Sequence, residues 1–321
     1  MDAHYSKPAG FKLVLNPAAR KIIFLSVAFL CLFPFVNPPL ALLLGIIFAQ
    51  FVGHPFAQAS HKITAWLLKI AVVGLGFGMN IHSAVSAGKD GFLFTSISIV
   101  SVLSIGLVAG RLMKIDKKTS FLISAGTAIC GGSAIAALSP VIQAKEKQIS
   151  VAMGTIFILN SVALFLFPAI GHRLHLSQNQ FGLWCAIAIH DTSSVVGAAS
   201  HYGQQALEVA TTVKLARALW IIPVAFLTSA LFKTGSRKVS IPYFIGLFIL
   251  AMLINTYIPI IKPLVPYITS VSKTGLTLTL FLIGTSLSFK TLKTVGLVPL
   301  LQGVLLWTII SVTSLWVITH F

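Results

Sequence analysis

The sequence predicts an all-α membrane protein of about ten or eleven transmembrane helices, an inverted repeat with two broken helices that cross near mid-membrane. Three observations predict it. Charged residues make up 9% of the 321-residue chain and hydrophobic residues 56%, whereas a soluble domain carries about 25% charged residues. Apolar windows long enough to cross a bilayer follow one another with no long polar block between them. Two pairs of segments also resemble one another.

A membrane helix needs about 20 largely apolar residues to cross a hydrocarbon core of roughly 30 Å. Windows of this kind fall near residues 20–36, 38–53, 64–82, 91–112, 119–143, 149–171, 179–201, 206–232, 240–257, 272–289 and 295–319. The first follows Arg20 and Lys21 as a signal peptide's would. No A-x-A-like cleavage site follows it, and Asn37-Pro38-Pro39 leads straight into the next window, so it is expected to be retained. Residues 1–19 form a cytoplasmic tail and 20–321 a single transmembrane domain. Within it, repeat segments at about 38–112 and 240–319 flank a broken-helix core at about 119–232.

The formal net charge is +17. Its distribution points to membrane insertion rather than to nucleic acid. With a cytoplasmic N-terminus and eleven spans, fifteen basic residues fall on the inner side: Lys7, Lys12, Arg20, Lys21, Lys62, Arg111, Lys114, Lys117, Lys118, Arg173, Lys233, Arg237, Lys238, Lys290 and Lys293. Four fall outside: Lys89, Lys145, Lys147 and Lys262. That asymmetry is the positive-inside rule, and it places the C-terminus outside. Lys69, Lys214, Arg217 and Lys273 fall inside apolar windows. Cys31, Cys130 and Cys185 do too, so they form no disulfide framework and show no metal-ligand spacing with histidine.

The repeats come next. Residues 69–100 align without gaps to 277–308 at an offset of 208, matching Gly76 to Gly284 and Gly88 to Gly296. The two lie seven spans apart, in opposite orientations, as inverted repeats of transporters require. A second match, at an offset of 60, lays 126–144 against 186–204, with Ala128-Ile129-Cys130-Gly131-Gly132 over Ala188-Ile189-His190-Asp191-Thr192. Eleven spans would give these two segments one orientation. Either one break is a re-entrant hairpin or the match is compositional.

The breaks are the candidate sites. Three glycines occur between Gly126 and Gly132, and glycine costs about 1 kcal/mol against alanine inside a helix. Unwound backbone at membrane depth survives where it is buried in protein or lines a wet cavity, and a new helix start offers free N–H groups to anions. Small residues also permit close helix packing without any site. A break that lines water should expose Cys130 to thiol reagents. Asp191 is one of six acidic residues and lies mid-window, where ionisable groups by default signal function. It also suits an N-cap before Thr192. His190 titrates near neutral pH in its ordinary state, so His190 and Asp191 are the proton-coupling candidates. Lys214 and Arg217 lie three apart and share a helix face. Snorkelling is the plainer account of Lys69 and Lys273, while internal pairing with Asp191 or Glu208 is a structural alternative for the central pair.

At Gly126-Thr127-Ala128-Ile129-Cys130-Gly131-Gly132-Ser133-Ala134-Ile135-Ala136-Ala137, Ala188-Ile189-His190-Asp191-Thr192 and Val213-Lys214-Leu215-Ala216-Arg217 the chain resembles the YeiH-type bacterial inner-membrane proteins, commonly labelled sulfate exporters. With the repeats, the resemblance covers the chain from about residue 20 to its end. It implies a transporter more firmly than it implies sulfate. The layout is also similar to the sodium/proton-antiporter and bile-acid-symporter fold, in which two broken helices meet at mid-membrane. Neither break holds an acidic pair, a departure from sodium-coupled relatives that counts against sodium coupling.

The expectation is therefore a secondary transporter of a small inorganic anion such as sulfate or sulfite, sited in a bacterial inner membrane. Thr127, Gly131, Gly132, Ser133, Thr192, Ser193, Ser194, Lys214 and Arg217 would bind substrate, and His190 and Asp191 would couple protons. No cofactor, metal or nucleic acid is expected, the bilayer is the surrounding partner, and homodimerisation is left open. The rival is a cation/proton antiporter with Asp191 as carrier. An intramembrane hydrolase is a remote alternative, because no G-x-S-x-G, H-E-x-x-H or paired carboxylates occur.

Overall fold

Asparagine followed by proline starts the first two helices, each asparagine side chain accepting a backbone N–H and each proline filling the first turn, where no N–H is needed. Asn16 caps α1 (Pro17–Leu30) and Asn37 caps α2 (Pro38–Phe51). The computed structural model describes residues 16–53, 55–232, 243–286 and 295–320. The N-terminal tail to residue 15 lies outside these, as do Lys233, Arg237, Lys238, Lys290 and Lys293. The described chain is all helical: α3 (Ala57–Gly76), α4 (Ile81–Leu112), α5 (Lys117–Ala128), α6 (Gly132–Leu138), α7 (Glu146–Arg173), α8 (Gln178–Ala188), α9 (Thr192–Tyr202), α10 (Gln204–Ala218), α11 (Ile221–Phe232), α12 (Tyr243–Tyr257), α13 (Val265–Ser286) and α14 (Leu297–His320). Four stretches, 93–112, 146–173, 204–229 and 297–320, are by length and composition alone sufficient to cross a membrane.

Both broken windows fold back on themselves, which corrects the expectation of two broken helices passing straight through. Lys118, at the start of α5, donates from Nζ to the Gln143 carbonyl beyond the end of α6 at 2.8 Å, and Gln148 of α7 donates to Asp116 at 2.7 Å. Helices α5 and α6 therefore form hairpin 1, which leaves by the end it enters. Hairpin 2, α8 and α9, does the same at the opposite end. Tyr202 donates its hydroxyl to the Leu176 carbonyl at 2.7 Å, and its ring stacks on Phe181. Between them the 28 residues of α7, about 42 Å of helix, carry the chain from one end to the other. Among the described residues, two of the eleven windows therefore turn back instead of passing straight through. The offset-60 match holds element by element: α5 stops at Ala128 and α8 at Ala188, while α6 resumes at Gly132 and α9 at Thr192.

The helices sort into two groups. In one, Phe24 of α1, Phe48 of α2 and Phe281 of α13 pack ring on ring, and α13 lies between α2 and α3. Gly45 and Gly284 let α2 and α13 touch backbone to backbone: a Cβ on Gly284 would stand 3.0 Å from the Gly45 Cα. The other group surrounds the hairpins with α4, α7, α10 and α14. Gln302 of α14 fastens its near end, donating to the Gly106 carbonyl at 2.8 Å and to Ser120 Oγ at 2.7 Å. Trp184 of hairpin 2 donates to the Ser311 carbonyl of α14 at 2.9 Å.

Candidate functional site

The hairpins meet tip to tip. Hairpin 1 turns through Ile129-Cys130-Gly131, and Gly131 adopts φ +62° and ψ −126°, a conformation that essentially glycine alone tolerates. A Cβ there would stand 3.2 Å from the Asp191 Cα and amide nitrogen and from the His190 carbonyl carbon. The second glycine demand of the site is thus contact: backbone of one tip lies on backbone of the other.

A helix that stops inside a protein leaves carbonyls without partners, and α10 supplies those partners to both inbound arms. Lys214 donates from Nζ to Ile189 O at 2.6 Å and to Ala186 O at 3.2 Å, at the end of α8. Arg217, on the same face, donates from Nε to Ala128 O at 2.7 Å, at the end of α5. Both are fully buried, at 0% exposure. Their partners are helix-end carbonyls, and among the described residues neither Asp191 nor Glu208 pairs with them. Cations at helix C-termini also oppose the negative pole of the helix dipole.

Asp191 caps α9. One carboxylate oxygen accepts the Ser193 amide at 3.1 Å and the Ser193 hydroxyl. Asn160 of α7 holds the same turn, its Oδ1 accepting the amides of His190 at 3.2 Å and Asp191 at 3.3 Å. Thr192, Ser193 and Ser194 are buried in the first turn of α9. The His190 ring is buried with both nitrogens unpartnered, as are the hydroxyls of Thr127, Thr211 and Thr212 and the two Nη atoms of Arg217. The Ser193 hydroxyl donates to Asp191.

A cavity of about 350 Å³ reaches the tips from one end. Its walls are Gly132, Ser133 and Ala136 of hairpin 1, Asp191 of hairpin 2, Met153 and Phe157 of α7, and residues of α3, α12 and α13 from the other helical group, including Lys69 and Tyr243. Of the residues the sequence singles out, Gly132, Ser133 and Asp191 face this space. Gly131, Thr127, His190, Lys214 and Arg217 lie behind it, packed into the tips. Cys130 is buried in the apolar core, so Ser133, whose side chain is exposed, is the better reporter of water. At the opposite end the two groups are joined. Lys273 of α13 donates to Gln204 Oε1 at 3.0 Å, and Gln204 donates to Glu208 of α10 at 3.1 Å.

Sequence reasoning missed Asn160 and the partners of two lysines. An amide in the apolar run Ile156-Phe157-Ile158-Leu159-Asn160 was the signal for the first. Tyr243 beside Lys69 and Gln204 beside Lys273 lie on remote helices and cannot be read from spacing.

Comparison with known proteins places this arrangement in a family. The relatives include UPF0324 membrane proteins of Bacteroides thetaiotaomicron, 57% identical over 282 residues covering 87% of this chain and 86% of the relative, and of Bdellovibrio bacteriovorus, 48% identical over 315 residues covering 96% and 97%. A Geobacter sulfurreducens relative is 46% identical over 286 residues, covering 89% and 92%. No solved structure matches. A family model described as conserved hypothetical protein 698 matches residues 24–303, and the chain belongs to that family of bacterial membrane proteins.

Proposed function

We propose that this membrane protein is a secondary transporter of a small anion, of the oxoanion class to which sulfate and sulfite belong, and that the substrate binds where the two hairpin tips meet. One observation carries the reading: two opposed hairpins meet beside a cavity, with both of their negative helix ends neutralised by buried cations. Lys214 and Arg217 quench the carbonyl ends of α8 and α5. What remains at the tips is the glycine-rich backbone of hairpin 1, whose return arm has no side-chain cap, and the unpartnered Nη atoms of Arg217, against the single Asp191 carboxylate that caps α9. That balance favours negative charge. Thr127, Ser133, Thr192 and Ser194 supply the hydroxyls of the site, the Ser193 hydroxyl being donated to Asp191, and His190 with Asp191 couples protons. This is the role expected of the YeiH-type proteins.

Alternating access follows from the two ends. The cavity is open at one, while the other is bridged by Lys273, Gln204 and Glu208. Opening the far end would release that bridge and part α9 from α2 and α13. The architecture also supports inverted symmetry. Gly76 of α3 packs on the Phe248 carbonyl of α12, as Gly284 of α13 packs on the Leu42 carbonyl of α2, so the units α2–α4 and α12–α14 exchange the same contact. Hairpin geometry also sharpens the charge asymmetry. It moves Lys145 and Lys147 to the basic end and Arg173 to the other, giving sixteen basic residues against three by chain order. We assign the basic end to the cytoplasm, which keeps the N-terminus inside, the C-terminus outside and the open cavity facing inward in a bacterial inner membrane.

Asp191 on the cavity wall keeps one rival alive, a cation/proton antiporter. Thermal melting of purified protein against sulfate, sulfite, thiosulfate, phosphate, carboxylates and sodium separates them. Binding to the folded state adds RT ln(1 + [L]/Kd), about 2.7 kcal/mol at a hundred times Kd. Stabilisation by an oxoanion supports the proposal. Stabilisation by sodium alone supports the rival.

A further inference from the structure

The cavity has two walls, and the charge on its second wall has no assigned work. Lys69 is the thirteenth residue of the 20-residue α3, about 18 Å from one helix end and 10 Å from the other at 1.5 Å per residue. Tyr243, beside its ammonium, is the first described residue of α12, so the charge lies toward the open end of the cavity. It sits over two rings, 5.1 Å from the Trp66 centroid and 5.3 Å from the Tyr243 centroid, and lines the same cavity as Ser133. Two aromatic faces attract a cation but carry no formal charge to neutralise it. Among the described residues no carboxylate pairs with it. Asp191, the acid on the cavity wall, has one oxygen committed to Ser193 as the cap of α9.

We infer that Lys69 is an anion-binding residue, holding a small oxoanion in the cavity it shares with Ser133 and the backbone at Gly132. This rests on the anion-transport reading and adds a wall to its site. The chemistry fits the class. An ammonium carries three rotatable donors and no acceptor, so it binds a compact oxoanion as a point charge without asking for a planar fork. The Ser133 hydroxyl donates to a second oxygen. The two aromatic faces hold the ammonium in the cavity without neutralising it. Because Lys69 belongs to one helical group and Ser133 to the other, a bound anion ties the groups together while the cavity is open at the cytoplasmic end. A relative shift of the groups separates the two contacts and weakens binding.

Purified wild type, Lys69→Met, Lys69→Arg and Ser133→Ala are titrated with sulfate and with sulfite by thermal melting. Lys69→Met is expected to weaken binding at least about tenfold, as loss of a charge-assisted hydrogen bond does, with Lys69→Arg retaining most of the affinity and Ser133→Ala weakening it less. In parallel, wild type is labelled with an amine-reactive ester and digested for mass spectrometry. The bound anion is expected to slow labelling of Lys69 and to leave the exposed Lys262 unchanged. If wild type binds an oxoanion and Lys69→Met binds it equally, or if the bound anion leaves Lys69 labelling unaltered, this inference is overturned and the transporter reading stands. If neither anion, nor any other oxoanion of the panel, shifts wild type, the transporter reading falls and takes the inference with it. Should Lys69→Met not fold, the labelling result decides alone.

Discussion

The two hairpins perform one architectural task with different chemistry. Each stops its inbound arm at an alanine, turns through three residues and is held by a cation from α10. Hairpin 1 turns on glycine, and no side chain caps the start of its return arm. Hairpin 2 turns on His190 and Asp191, caps its return arm with that aspartate and is tied to α7 by Asn160. The difference divides the labour at the site. A tip of bare backbone starts its return arm without a side-chain cap, whereas a tip that caps itself keeps its geometry and carries the ionisable groups.

The largest expected effect of breaking this comparison is at Gly131. Alanine there must leave a glycine-only conformation and push on the backbone of Asp191. We expect Gly131→Ala to lower stability by about 2–4 kcal/mol, the strain of such a conformation plus displacement of the opposite tip, read as a large fall in melting temperature. The counterpart on hairpin 2, Asp191→Asn, keeps a capping side chain and should cost less than about 1 kcal/mol.

The cations come next. Arg217→Met and Lys214→Met each strand helix-end carbonyls in the interior, at about 1–3 kcal/mol apiece, and each should weaken anion binding by tenfold or more. Arg217→Lys should restore part of both. A variant that melts and binds anions as wild type does would leave its arm in need of no cap and remove the pair from the site.

Function should separate the tips further. Asp191→Asn is expected to flatten the pH dependence of anion flux in proteoliposomes while leaving affinity within about threefold. The corresponding change on hairpin 1, Ser133→Ala, should lower affinity and leave the pH profile unaltered. An unchanged profile in Asp191→Asn would reduce that residue to a helix cap.

The hairpin bases differ too. Burial pulls the Asp116 carboxyl upward, but hydrogen bonds from the Thr119 amide and hydroxyl and from Gln148 outweigh it and hold the group below its ordinary value. A carboxylate held low in the folded state stabilises above its unfolded pKa of about 4, and the contribution is lost as pH falls through the folded value. Hairpin 2 begins on the uncharged Ser177, in a reciprocal cap with Gln180. Asp116→Ala should cost about 0.5–2 kcal/mol at neutral pH and progressively less below pH 4. Ser177→Ala should cost a similar amount with no such dependence. Melting curves between pH 3 and 7 decide the matter.

Much of this was legible in advance. Small residues and glycine around Gly131, an aspartate and serines after His190, and the offset-60 match marked both tips to the residue. The direction of the chain through them was not, because a break long enough to cross a membrane and a hairpin that turns back have the same apolar composition. Lys118 bonding to Gln143, and Tyr202 to Leu176, decide the direction, and both are contacts between surface-end residues with no periodic signature. Lys214 and Arg217 were visible as a buried pair on one helix face. Their carbonyl partners on α8 and α5 were not, since backbone acceptors carry no sequence mark.

Opposed re-entry of the two hairpins is the central claim, and cysteine accessibility in intact membranes tests it most directly. In a background with Cys31, Cys130 and Cys185 replaced, single cysteines at Lys118 and Gln143 should both be labelled by an impermeant thiol reagent from the cytoplasmic side alone. Single cysteines at His175 and Gln204 should both be labelled from the outer side alone. Labelling of Lys118 and Gln143 from opposite sides would contradict the account, because hairpin 1 would then be a broken helix that crosses the membrane.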